Sequence, residues 1–146
     1  MFWDLVVIFD CIQLAHFFIR ITQSTYQTMI KIYHNINCSK SRTALEFLQQ
    51  QADEIEVREY LNDVPTKDEL KELLSQLRIK PLDLIRKGEL LFQEKFRNSQ
   101  LTDEEWIDVM TAYPILIERP IVVKNGVAVI GRPIEKVISL IEKSDK

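Results

Sequence analysis

Glycine is scarce in this sequence, and its scarcity narrows the chemistry. Only 3 glycines occur in 146 residues, Gly88, Gly126 and Gly131. They cannot build a Gly-x-Gly-x-x-Gly dinucleotide loop, and Gly131 is followed by Arg132-Pro133 rather than the Lys-Ser/Thr of a phosphate loop. Rossmann oxidoreductases and phosphate-loop ATPases are therefore excluded. Cysteine is rarer still, at 2 residues, too few for a disulfide scaffold. None is needed, because a chain of this size buries roughly 70% of its unfolded surface without such staples. Zinc-ligand spacing is also missing, since Cys11, His16, His34 and Cys38 do not follow the pattern of a finger. Nor is there an excess of charge. With 19 basic and 22 acidic side chains the net charge is -3, which gives no global attraction for nucleic acid or anionic lipid. An anion site has to be a local cluster. What is present is a 46% hydrophobic content, too apolar for a disordered chain and suited to a single core.

Long hydrophobic runs are lacking as well. Phe2 to Ile21 is strongly apolar, yet Asp4, Asp10, His16 and Arg20 are scattered through it, and its longest uncharged stretch runs only from Cys11 to Ile19. A bilayer span needs about 20 mostly apolar residues. No basic region precedes the stretch and no small-x-small site follows it, which argues against a signal peptide. Residues 1–28 thus read as an added helix, a weak membrane-surface segment, or sequence upstream of a start at Met29. Membrane contact through 1–28 is the reading the charges disfavour. The domain is expected over residues 29–146.

From Met29 the hydrophobic period alternates between strand and helix. Ile30 to Tyr33 reads as a strand and Ser39 to Gln51 as a helix with Ala44, Leu45 and Leu48 on one face. Ile55 and Val57 alternate with Glu54, Glu56 and Arg58 as a second strand, which predicts Arg58 on the exposed side. Thr66-x-x-Glu69 and Thr102-x-x-Glu105 are capping boxes, the first opening a helix with Leu70, Leu73, Leu74 and Leu77, the second one with Trp106, Val109, Met110 and Tyr113. Pro81 to Lys87 suggests a further short helix, and Glu89 to Phe96 fits helix or loop. Ile121 to Lys124 and Val127 to Ile130 flank Asn125-Gly126, a strong hairpin signal. Pro133 is expected at the first position of a last helix carrying Ile134, Val137, Ile138 and Ile141. Strands around a crossover helix pair in parallel and a hairpin adds antiparallel ones. The expectation is an α/β fold with a mixed four-stranded sheet and helices packed on it.

Cys38 stands at the first strand-to-helix turn, where unpaired amides and the helix dipole lower a thiol's pKa. A free cysteine is commonly a small buried filler, but Ser39, Lys40, Ser41 and Arg42 follow it and argue for exposure and reactivity. Ser41 occupies the position that would complete a Cys-x-x-Cys pair, so a dithiol cycle within this motif is impossible. Arg86, Arg119 and Arg132 lie in turn-like contexts, and two Arg-Pro steps bracket the hairpin, which puts Arg119 and Arg132 near one end of the sheet. Guanidinium forks match tetrahedral oxyanions. His34, close to Cys38, is more often a hydrogen-bonded neighbour than a proton-transfer group.

Taken in order, Ile32-Tyr33-His34-Asn35 with Cys38-Ser39-Lys40-Ser41-Arg42, Leu84-Ile85-Arg86-Lys87, Pro114 through Val123, and Gly131-Arg132-Pro133 resemble the glutaredoxin-coupled arsenate reductase family, in its arsenate reductase-like branch. The resemblance runs from about Met29 to Ile141. It implies a thioredoxin-like fold with a helical insertion and Pro120 at the cis-proline position beside the catalytic cysteine. It further implies that Cys38 attacks arsenate, that Arg86, Arg119 and Arg132 hold the oxyanion, and that His34 supports the thiolate. Glutathione as co-substrate reductant and glutaredoxin as protein partner would complete the cycle, with no bound cofactor, in the cytoplasm. A redox-responsive thioredoxin-fold regulator that binds RNA polymerase is the alternative, although such proteins often carry Cys-x-x-Cys and lack the Gly-Arg-Pro step.

Overall fold

The computed structural model describes residues 29–52 and 54–143. The apolar segment 1–28, with Cys11 and His16, lies outside the described residues. Strands β1 (Ile30–His34), β2 (Ile55–Glu59), β3 (Ile121–Lys124) and β4 (Val127–Ile130) form one sheet in the order β2-β1-β3-β4. Helix α1 (Ser39–Gln51) carries the chain back across the sheet, so β1 and β2 pair in parallel, from Ile30 against Ile55 to His34 against Glu59. β3 is antiparallel to β1, with Tyr33 opposite Ile121, and it turns directly into β4. That turn needs positive φ at both central residues, which Asn125 (φ 52) and Gly126 (φ 74) supply.

Side-chain alternation divides the core between the two faces of the sheet. Ile30, Ile32 and Val122 pack with Ala44 and Leu48 of α1 and with Val137, Leu140 and Ile141 of the last helix. Tyr33, Ile121 and Ala128 face the helices inserted between β2 and β3. The insertion comprises α2 (Lys67–Leu77), α3 (Leu90–Lys95) and α4 (Asp103–Ala112), and the last helix is α5 (Glu135–Lys143). Both capping boxes are complete. Thr66 and Thr102 each accept the N-H of the glutamate three residues on, and that glutamate accepts the threonine N-H. The arrangement is a thioredoxin-like fold with a helical insertion.

Four local expectations are corrected. Val57 is 43% exposed and Arg58 only 9%, the reverse of the expected polarity of β2. β2 is an edge strand, where alternation identifies two faces without saying which is covered. Arg58 fills the inner side because Glu69 and Asp63 neutralise it and its guanidinium lies over the Tyr33 ring. The helix expected over Pro81 to Lys87 is a single 3-10 turn, Pro81–Asp83, after which the chain straightens into a bridge between Ile85 and Ile117. Pro133 does not open α5: the Arg132-Pro133 peptide is cis and the helix begins at Glu135. Finally, Ile107 and Leu140 are buried where Val109 and Ile138 were expected, Val109 being only partly covered, because a helical period fixes a stripe only to within about one residue of rotation.

Candidate active site

β1 ends at His34, and the loop to α1 is pinned by short-range hydrogen bonds. Asn37 N-H donates to Asn35 Oδ1 at 2.9 Å, Cys38 N-H to the Asn35 carbonyl at 3.0 Å, and Arg42 Nη1 to the Ile36 carbonyl at 2.8 Å. Buried Ser41 reaches back from the first turn of α1: its Oγ accepts the Asn35 N-H at 3.1 Å and shares a 2.9 Å hydrogen bond with His34 Nδ1. Cys38 is thereby fixed as the residue immediately preceding α1, in an extended conformation (φ -102, ψ 117). No side-chain hydrogen bond closes this cap, so the first amides act on the sulfur through their dipoles.

Arg132 approaches from the other end of the chain. Its Nη2 donates to Cys38 Sγ at 3.1 Å and its Nε to the Arg119 carbonyl at 2.7 Å. Burial works against ionisation of Cys38, but the Ser41 N-H, the Arg132 guanidinium and the Lys40 N-H outweigh it and hold the thiol below its ordinary range. The close approach of Gly131 makes this reach possible. Its N-H donates to the Pro120 carbonyl at 2.8 Å, and a Cβ there would lie 2.9 Å from Pro120 Cγ. The Arg119-Pro120 peptide is cis.

Arg86 arrives from the insertion. Its N-H donates to the Leu116 carbonyl at 2.7 Å, and Glu118 N-H donates to the Leu84 carbonyl at 2.9 Å, so a two-stranded contact delivers Arg86 beside Arg119. Burial, followed by the charges of Arg119 and, beyond Glu118, of Arg132, lowers the Arg86 pKa. The three arginines gather at one place: Arg86 and Arg119 meet at Glu89, and Arg132 bonds the Arg119 carbonyl. Arg119 Nη1 donates to the Ile115 carbonyl at 3.2 Å and Nη2 to Glu89 Oε1 at 3.1 Å, whereas its buried Nε has no hydrogen bond among the described residues. Arg86 forms an ion pair with Glu89 and lies 3.9 Å from Glu118. Buried Tyr60 completes the wall, with Arg119, Asn35 and Arg86 as electrostatic neighbours.

All five residues singled out from sequence converge here except that His34 contacts Ser41 rather than the sulfur. Burial holds His34 below its ordinary pKa, so it is neutral at pH 7. Sequence reasoning missed Ser41, Glu89, Glu118 and Tyr60. Only Ser41 carried a local signal, as the residue replacing a second cysteine. Among the described residues no three His, Cys, Asp or Glu side chains converge to hold a metal, and no helix is long and apolar enough to cross a membrane.

The class these features define is a thioredoxin-like protein with a cysteine at a helix start, its thiol pKa lowered, beside a cis-proline loop and three gathered arginines. Comparison with known proteins narrows the class. A model of the ArsC family matches residues 33–140, and the chain belongs to that family. It is 42% identical over 114 residues to the Uncharacterized protein YfgD of Escherichia coli, covering 77% of this chain and 96% of the relative. It is 37% identical over 110 residues to an Arsenate reductase of Neisseria meningitidis, covering 74% of this chain and 94% of that one. The solved Arsenate reductase of Vibrio cholerae superposes with a TM-score of 0.73 at 42% identity, covering 77% of this chain and 97% of its own.

Proposed function

We propose that the protein reduces arsenate to arsenite through Cys38. The observation that carries this reading is the 3.1 Å contact between Arg132 Nη2 and Cys38 Sγ, made beside Arg119 and Arg86. The thiolate attacks arsenic and an S-As bond forms, while an arsenate oxygen leaves as water after taking up protons. Arg86, Arg119 and Arg132 neutralise the charge that gathers on the remaining oxygens, each guanidinium offering paired donors that a lysine cannot. Reduction needs an external thiol, since Ser41 stands where a resolving cysteine would be. Glutathione attacks Cys38 Sγ, forming an S-S bond, and the S-As electron pair passes to arsenic, which leaves as arsenite. A glutaredoxin thiol then reduces the mixed disulfide and restores Cys38. A cavity of about 320 Å³ lined by Lys40, Thr43, Gly131, Arg132, Pro133, Ile134 and Glu135 adjoins the arginine that holds the sulfur and supports approach of an anionic tripeptide thiol. Such a cycle belongs in a reducing compartment, which makes the cytoplasm its setting.

The test is arsenate-dependent oxidation of NADPH in the presence of glutathione, glutathione reductase and glutaredoxin. Wild-type protein is expected to turn over and Cys38→Ser to be inactive. An active Cys38→Ser variant, or wild-type protein inactive with every glutaredoxin and with glutathione alone, overturns the assignment.

A further inference from the structure

One carboxylate sits at the meeting point of two of the three arginines. Glu89 Oε1 accepts from Arg119 Nη2 at 3.1 Å and forms an ion pair with Arg86 through the same oxygen. A single oxygen shared by two guanidiniums is the position an oxyanion oxygen would take. Arg132 is committed differently, to Cys38 Sγ and to the Arg119 carbonyl. Arg86 and Arg119 are already partly neutralised at rest: Glu89 stands against both, and Glu118 lies 3.9 Å from Arg86. A tetrahedral dianion entering this set adds charge at guanidiniums that are already partly neutralised, unless a carboxylate leaves.

Glu89 is built to leave. It immediately precedes α3 in an extended conformation (φ -71, ψ 141), and its side chain makes no cap hydrogen bond to that helix. Its side chain is 24% exposed, so rotation carries the carboxylate into water. Gly88, the residue before it, has no atom within 4 Å of where a Cβ would lie, which leaves this stretch of chain uncrowded. Glu118 is the looser carboxylate, 3.9 Å from Arg86, and does not stand between the two guanidiniums as Glu89 does.

We propose that Glu89 is a displaceable counter-ion that occupies the oxyanion seat on Arg86 and Arg119, competes with the incoming tetrahedral anion, and thereby sets how tightly that anion binds. The inference rests on the reading above only for the identity of the anion. Competition and scaffolding predict opposite signs. If the carboxylate competes, removing its charge tightens anion binding. If it merely orients the arginines, removing it loosens binding.

The experiment measures the rate of Cys38 alkylation by iodoacetamide at pH 7 under graded sulfate and, separately, graded arsenate. In Glu89→Gln and in Glu89→Ala the half-protecting anion concentration is expected to fall about tenfold, the worth of one charge-assisted contact discounted for partial exposure. Glu94→Gln, on the exposed side of α3, controls for net charge and is expected to leave protection at the wild-type value. Both Glu89 variants are used only where their melting transitions match the wild type, and the isosteric Gln preserves side-chain shape. An unchanged or raised half-protecting concentration overturns the proposal, as does absence of protection by either anion in the wild type. Turnover is read separately by NADPH oxidation. Protein that fails to reduce arsenate yet binds sulfate more tightly as Glu89→Gln refutes the substrate assignment and sustains the counter-ion. Protein that turns over but shows no tightening does the converse.

Discussion

Replacing Arg132 by lysine separates the guanidinium's shape from its charge. Arg132 makes two contacts with one planar group, to Cys38 Sγ at 3.1 Å and to the Arg119 carbonyl at 2.7 Å. A lysine ammonium has the charge but cannot span both from one stem. A hydrogen bond to a charged group contributes about 1.5–3 kcal/mol, and the half-buried setting reduces this to about 1 kcal/mol. Cys38 reactivity follows thiolate population, so alkylation by iodoacetamide at pH 7 is expected to slow roughly fivefold in Arg132→Lys. The loss in catalysis should be larger, because the fork also holds the developing oxyanion. Such an electrostatic contact is worth on the order of 2–4 kcal/mol in a transition state, or roughly 30-fold to 1000-fold in kcat/KM with arsenate. Arg119→Lys should show a comparable fall in kcat/KM with little effect on the alkylation rate, since Arg119 does not bond the sulfur. Parallel pH-rate profiles for alkylation and steady-state kinetics on the same preparations provide the check. An Arg132→Lys variant with wild-type alkylation and wild-type kcat/KM would refute the reasoning.

Three further perturbations probe the supporting structure. The Arg58 hydrogen bond, first among its causes, holds Glu69 at about 2 against an ordinary 4.5; a depressed carboxylate stabilises the fold above 4.5, and that stability is lost as pH falls toward 2. Glu69→Gln should flatten the stability profile in this window, measured by urea unfolding at stepped pH. Ser41→Ala leaves the buried Asn35 N-H and His34 Nδ1 without their shared partner and should destabilise the protein by about 2 kcal/mol in the same measurement, an unchanged midpoint counting against the network. Gly131→Ala forces a contact of 2.9 Å with Pro120 and 3.0 Å with Val137, so it should lower the melting temperature and slow Cys38 alkylation together; loss of one without the other would uncouple the packing from the thiol.

Whatever depends on neighbours in the chain was legible without coordinates. α1 spans the expected Ser39–Gln51, both capping boxes close, and Asn125-Gly126 turns the hairpin, because each of these is decided by hydrogen bonds and φ preferences within a few residues. The thiol's setting at a strand-to-helix turn is local in the same sense. The tertiary structure decided the rest. Alternation along β2 identified two faces but not which would be covered, and the Glu69 and Asp63 carboxylates brought Arg58 inside. The Cys38 contact with Arg132 joins residues 94 positions apart, and Arg86 reaches the cluster only through the pairing of Ile85 with Ile117. Glu89 reads as a solvated surface partner of the neighbouring Arg86 until Arg119, 30 positions away, closes on the same oxygen. Pairing of charges across the fold is a property of distance in space, which hydrophobic period and turn chemistry do not encode.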